Sequence, residues 1–248
     1  RVKERGPRRL RHRYRSVTAQ DLEDLAQEAD ADVARVRAVV PGFEPINLWL
    51  DPAKRTPAAG ALGAHAQVAA GRMGVIVVPG STAARPAPSL SMLRRVKAYL
   101  LARCPGTAEL WVAGPEWVKV TVEATVAPVS LAQADAVTGN VVRTLNRFLH
   151  PLSGGPGRRG WAFDRTPLRS DIYAVIEAVD GVDHIRALKL TNDAHAGDPE
   201  LKLKLDQRLN QSMAKTLAET PPPAMRQWLE RSLVYSGRHI IRATLQST

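Results

Sequence analysis

The sequence contains one cysteine, Cys104, in 248 residues. A lone thiol closes no internal bridge, and no second cysteine or histidine cluster stands near it. A disulfide scaffold and a zinc ribbon are therefore both excluded, and the single thiol suits a reducing compartment. Long apolar runs are missing as well. No stretch of about 18 apolar residues occurs and nothing resembles a signal peptide, so neither a membrane span nor a secretory leader is expected within this chain. It begins at Arg1 rather than Met, so it is expected to belong to a longer protein with a leader or domain upstream. The usual marks of chemistry are equally sparse. The six histidines, at 12, 65, 150, 184, 195 and 239, include no i, i+3 or i, i+4 pair, and none accompanies paired carboxylates in a ligand-like pattern. There is no HExxH sequence and no nucleophile elbow, and Cys104 has no histidine close in sequence. No metal site, cofactor or catalytic residue is expected, and an enzyme is disfavoured.

What is present is enough apolar material to fold without staples. A chain of this length buries roughly 70 to 75% of its unfolded surface, and 44% of its residues are hydrophobic. The net charge of +11 is concentrated at the start. Arg1, Lys3, Arg5, Arg8, Arg9, Arg11, Arg13 and Arg15 stand against Glu4 alone, a net +7 of the total. Such an arm at 1–17 binds phosphates, docks on an acidic partner, or is a solvated leader. Arg8, Arg9, Arg11 and Arg13 are the candidate interface. Only Tyr14 interleaves with them, which gives little support to a stacking platform for single strands.

Periodicity organises the rest. Thr18 with Asp21 forms a helix start, and Leu22, Leu25, Ala26 and Ala29 share the following face. The carboxylates Asp21, Glu23 and Asp24 suit the positive helix end better than acid–base work. Val33–Val40 alternates as a half-buried strand with Val33, Arg35, Arg37 and Val39 on one side. Residues 46–50 read as a short strand and 51–72 as a low-complexity loop. The apolar run at 73–78 suits an interior strand. Leu90, Leu93, Val96 and Leu100 mark a helix over 89–103, and 109–112 a strand that completes a strand–helix–strand unit.

The strand over 117–127 is the clearest, with Val118, Val120, Val122, Ala124 and Val126 facing a core. Ser130 with Gln133 resembles a capping box for a helix through Leu145 and Leu149. The glycines of Gly154–Gly160 suit a tight loop. Phosphate binding there is disfavoured by Pro156 and by the missing Lys-Ser/Thr ending. A second helix follows over 170–179, with Gly181 as its C-terminal cap, and then a strand over 182–190. Residues 192–231 read as a partly helical insertion, helical around 201–217. Leu233–Tyr235 and 240–245 read as a hairpin turning at Ser236-Gly237. The expected fold is α+β. It comprises a first module at 18–114, a second at 115–191, the insertion at 192–231, and a hairpin at 232–248 returning to the second module.

Two segments resemble a known family in order and spacing. Pro7-Arg8-Arg9-Leu10-Arg11-His12-Arg13 running into Ser16-Val17-Thr18-Ala19-Gln20-Asp21-Leu22 is one. The other begins at His150-Pro151-Leu152-Ser153-Gly154-Gly155. It continues through Gly160-Trp161-Ala162-Phe163-Asp164 and Ser170-Asp171-Ile172-Tyr173 to Gly181-Val182-Asp183. They resemble the baseplate J-like wedge proteins of contractile phage tails and phage-tail-like injection systems. The resemblance implies two tandem α/β-sandwich (ferredoxin-like) modules and no catalytic residue. It implies a structural wedge subunit that links the central hub and spike to the sheath and rearranges on contraction. Its partners would be further copies or a paralogue, hub and spike proteins, and sheath-proximal baseplate proteins, with assembly in the cytoplasm. Trp161, Phe163, Gly154 and Gly155 would anchor the glycine-rich loop. The alternative is a nucleic-acid-binding accessory protein using the basic arm. A small-molecule enzyme would need a pocket of converging polar groups.

Overall fold

A computed structural model of the chain describes residues 14–39, 72–211 and 221–244. The arginines before Tyr14, the strand expected at 46–50, the loop at 51–71, the 212–217 end of the insertion and residues 245–248 lie outside the described residues. The fold is α+β, with two compact units. One holds the described residues up to Pro79 together with Pro88–Gly114, and the other Gly80–Ala87 together with those from Pro115 onward.

The first unit opens with helix α1 (Ala19–Ala29), whose start is a reciprocal capping box. The Asp21 N–H donates to Thr18 Oγ1 at 3.2 Å while the Thr18 N–H donates to the Asp21 carboxylate at 2.9 Å. Strands β1 (Val33–Val39), β2 (Arg72–Pro79) and β3 (Glu109–Ala113) form a sheet in the order β1-β2-β3. β2 is the interior strand, antiparallel to β1 and parallel to β3. The parallel step is made by helix α2 (Leu90–Leu101), which returns the chain to the starting end of β2. Leu22, Leu25 and Ala26 from α1 and Met92, Val96 and Leu100 from α2 bury against Val33, Val75, Val77 and Leu110. Met92, rather than the expected Leu90, starts the α2 stripe. Leu90 is the first helical residue after the cap Ser89 and stays exposed. An irregularity between Val33 and Arg35 moves Val33 off the face of Arg35 and Arg37 and onto the core side with Val36 and Ala38.

In the second unit the long strand β4 (Glu116–Pro128) lies at the centre, with β5 (Val182–Ala194) antiparallel on one edge. Val118, Val120, Val122, Ala124 and Val126 face a core closed by helices α3 (Ala134–Phe148) and α4 (Arg169–Glu177) through Val137, Val141, Leu145, Ile172 and Ile176. The Ser130 cap does not form. A 3-10 turn at Leu131–Gln133 intervenes, and α3 begins at Ala134 without a side-chain cap. Gly181 does not cap α4 either. That helix ends at Glu177 with Ala178 as its cap, and Gly181 turns the chain into β5.

Three further expectations are corrected. The segment at 192–231 is not a separable insertion. β5 runs on to Ala194, and Leu205 of helix α5 (Pro199–Leu209) and Met225 and Trp228 of helix α6 (Pro223–Leu229) are buried in the same core as β4. Nor is there a terminal hairpin. β6 (Ser232–Ser236) and β7 (Ile240–Ala243) both run parallel to β4, with Ser232–Ser236 beside Glu116–Val120 and Ile240–Ala243 beside Glu123–Val126. They are two halves of one interrupted strand. A two-residue hairpin turn needs positive φ, which Gly237 does not adopt. Gly237 lies instead against β4, where a Cβ would come within 2.8 Å of Thr121 Oγ1. Finally, a ferredoxin-like sheet pairs its neighbours antiparallel, whereas each sheet here contains directly paired parallel strands.

If α5 belongs to the core, Leu205→Ala should lower stability by about 2–5 kcal/mol in chemical denaturation. Leu203→Ala, on the exposed side of the same helix, should change it by no more than about 0.5 kcal/mol. Equal effects would return α5 to the status of an appendage.

Candidate functional site

Arg8, Arg9, Arg11 and Arg13 lie outside the described residues. The described end of the arm is tied down, since the buried Ser16 donates its N–H to the Arg103 carbonyl at 3.0 Å. Arg103 in turn stacks on Tyr99, 3.5 Å from the ring centroid, and donates to the Tyr99 carbonyl.

The glycine-rich loop is built on the last turn of α3. The Gly155 N–H and the Trp161 indole N–H both donate to the Phe148 carbonyl, at 2.7 and 2.8 Å. Gly154 donates to the His150 carbonyl at 2.8 Å, Gly160 to Gly154 at 2.9 Å, and Trp161 to Pro151 at 3.1 Å. A Cβ on Gly154 would overlap the Phe148 carbonyl oxygen, so glycine is required for this approach. Trp161 is 1% exposed and meets Phe148 edge-on at 5.3 Å, while Phe163 is half-buried. These amides point at the protein's own carbonyls. A phosphate cradle needs them directed outward.

The interrupted strand holds a polar chain that sequence reasoning missed. Between β6 and β7, the Gly237 N–H donates to the Val120 carbonyl at 2.8 Å, and the next outward amide of β4, Val122, donates to His239 Nδ1 at 3.1 Å. With Nδ1 accepting, the proton sits on Nε2, which donates to Ser236 Oγ at 2.8 Å. That hydroxyl donates to Asn146 Oδ1 on α3. An imidazole thus replaces a backbone carbonyl in the ladder. Burial pushes its pKa down to about 4, and only the neutral ring can accept from Val122.

The other described histidines are also engaged. His150 Nδ1 accepts from the amides of Leu152 and Ser153, His184 pairs with Asp183, and His195 Nε2 lies 2.9 Å from the Tyr235 hydroxyl. His195 is held below its ordinary value by burial and then by Arg85. Beside it Asp193 bridges Lys119 at 2.8 Å and Lys202, which also reaches Asp206. Burial pushes the Asp193 carboxyl up, but the hydrogen bonds from the two lysines outweigh it and hold it below the usual range. Lys119 and Lys202 are raised, first by their hydrogen bonds to Asp193. Of the carboxylates at the first helix, Asp21 caps it and Glu23 accepts from the Ala38 N–H of β1 at 2.9 Å. Among the described residues no cluster of three or more His, Cys, Asp or Glu could hold a metal ion, and no helix is long and apolar enough to cross a membrane. Among the described residues, Asp21, Glu23, Asp206, His150 and His239 each accept from backbone amides.

Because the folded pKa of His239 lies below the ordinary 6.5, its contribution is complete above pH 6.5 and is lost as pH falls from 6.5 towards 4. The expected loss is about 2–3 kcal/mol. His239→Gln keeps an acceptor without the titration, so the difference in stability between it and the native chain should shift by that amount between pH 7.5 and 4. A difference constant with pH would refute the neutral-ring assignment. At the loop, Trp161→Ala should cost about 3–5 kcal/mol, read as a lowered melting midpoint.

The chain matches no family model and no curated protein. Among solved structures it is similar to a chain of the anti-feeding prophage (AFP) baseplate, determined by cryo-EM with 6-fold symmetry imposed. The TM-score is 0.56 at 20% sequence identity, over 96% of this chain and 41% of that one. The chain therefore spans well under half the length of that neighbour, and what the two share is the fold.

Proposed function

We propose that this chain is a structural component of the baseplate of a contractile, phage-tail-like injection system, and within it a baseplate J-like wedge subunit. The observation that carries the reading is the fold shared with an anti-feeding prophage baseplate chain along 96% of the sequence. The sequence motifs that resemble wedge proteins add to it independently. They include the His150–Gly155 and Gly160–Asp164 segments, whose backbone closes the loop at the end of α3. A wedge role asks for rigid modules that repeat around an axis and meet neighbours, with no chemistry of their own. In this reading the chain links hub and spike to the sheath, shifts its arrangement on contraction, meets other wedge copies, and assembles inside the producing cell.

The basic arm is the part best suited to a neighbour. Its net +7 within fifteen residues complements an acidic surface, and Arg8, Arg9, Arg11 and Arg13 make that contact. The same charge is the one observation that favours nucleic acid, where affinity would fall steeply with salt. Source cells should be lysed, treated with nuclease and centrifuged, and the large-particle pellet analysed by mass spectrometry. The chain is expected to sediment with tube and sheath proteins. Recovery only in the soluble fraction, with chromatographic behaviour altered by nuclease, would favour the nucleic-acid reading. Replacing Arg8, Arg9, Arg11 and Arg13 together by Gln should remove the chain from the pellet, and unaltered incorporation would dismiss the arm contact.

A further inference from the structure

Opposite the α3–α4 core, the sheet of the second unit presents an open face. Its register sets two rows side by side. Ile240, Glu123 and Lys189 form one, and Arg242, Thr125 and Ala187 the next. Side chains paired across strands in this way point to the same face. The two rows line a cleft of about 420 Å³, with Arg186 and Arg169 also lining it. Arg169, Arg186, Lys189 and Arg242 are all exposed. The floor carries a single carboxylate, Glu123, 3.6 Å from Lys189. Among the described residues the three arginines have no carboxylate partner. Arg169 lies over the Tyr173 ring, and Arg186 reaches only the Thr244 hydroxyl, at 3.4 Å. Ile240 remains 44% exposed among these charges.

We infer that this cleft is the docking site for an acidic, extended segment of a neighbouring protein. Arginine forks match carboxylates two hydrogen bonds at a time, and three of them around one concavity leave an excess of positive charge unanswered among the described residues. Two features favour a peptide over a nucleic acid. The Glu123 carboxylate in the floor accepts hydrogen bonds, and a peptide backbone carries N–H donors for it where a phosphodiester backbone carries none. The exposed apolar side chain is Ile240, which packs an aliphatic residue, and the cleft offers no aromatic ring for a base to stack on. That the neighbour is another baseplate protein rests on the function proposed above, but the binding chemistry does not.

The test uses the full isolated chain and fluorescence anisotropy. The probe is a labelled ten-residue peptide of Asp and Glu with two central leucines, and DNA of equal charge serves as the competing ligand. The peptide should bind in 50 mM NaCl. Arg186→Glu with Arg242→Glu should weaken it at least about tenfold. Arg94→Glu with Lys97→Glu, the same charge change on exposed residues of α2, should leave it within about twofold. The neutral pair Arg186→Gln with Arg242→Gln should fall between, which keeps the result readable if the reversal perturbs folding. No peptide binding, equal losses in both reversed pairs, or tighter binding of DNA with the same loss would overturn the inference. The assay contains no particle, so it can fail while the chain still sediments with tube and sheath proteins, and it can succeed when the chain does not.

Discussion

A backbone amide that leaves a β-ladder must find another acceptor, and among the described residues side chains supply it at three places. An unpaired amide in a buried setting costs on the order of 1–3 kcal/mol, so each substitution fixes an element that sequence proximity does not. On β1 the acceptor is Glu23, reaching from α1 to the Ala38 N–H. On β5 it is Asp206 of α5 and Asn210, the residue that caps α5. Asn210 accepts from the Asn192 N–H at 2.8 Å and donates to the Asn192 carbonyl at 2.7 Å, while Asp206 takes the Ala194 N–H. On β4 it is His239, closing the gap between two half-strands. The first two act at sheet edges, where open amides invite pairing with another chain. The third acts inside a sheet and makes continuity across β6 and β7 depend on an uncharged ring.

These devices put polar side chains of the described residues to work in completing the backbone. Other described polar side chains pair with one another, as in the Lys119–Asp193–Lys202–Asp206 chain. Among the described residues, Arg169, Arg186 and Arg242 on the open sheet face of the second unit have no carboxylate partner. The open face of the second sheet thus carries a surplus of positive charge beside a polar network that is closed on itself at Asp193.

The sequence made legible whatever is set by local periodicity. The α1 capping box needs only three residues, and the alternation along β4 needs only one strand with one buried face. What failed were features whose partner is remote. Ser236-Gly237 looked like a turn because Gly commonly marks one. Its actual role is to let the chain pass close to Lys119, Val120 and Thr121, and nothing near Gly237 in sequence announces that. The imidazole that mends the ladder is 117 residues from the amide it serves. The polarity of 192–211 suggested an insertion for a related reason. Lys202, Asp206 and Asn210 are polar because they seal the edge of β5, so a segment with few apolar residues is nevertheless integral to the core through Leu205.

The same distinction bears on how a fold persists at 20% identity. Core positions tolerate exchange among apolar residues of similar volume, so the stripes of α1, α3 and β4 constrain a sequence only loosely. The glycine-rich loop is less forgiving. Gly154 admits no side chain against the Phe148 carbonyl, and that oxygen already accepts from both Gly155 and the Trp161 indole. A substitution at any one of these three strains or strands the others. Residues coupled through one shared acceptor must change together or not at all. Part of the motif resemblance, at Thr18–Asp21 and at Gly154-Gly155 with Gly160-Trp161, falls where geometry leaves little choice of residue.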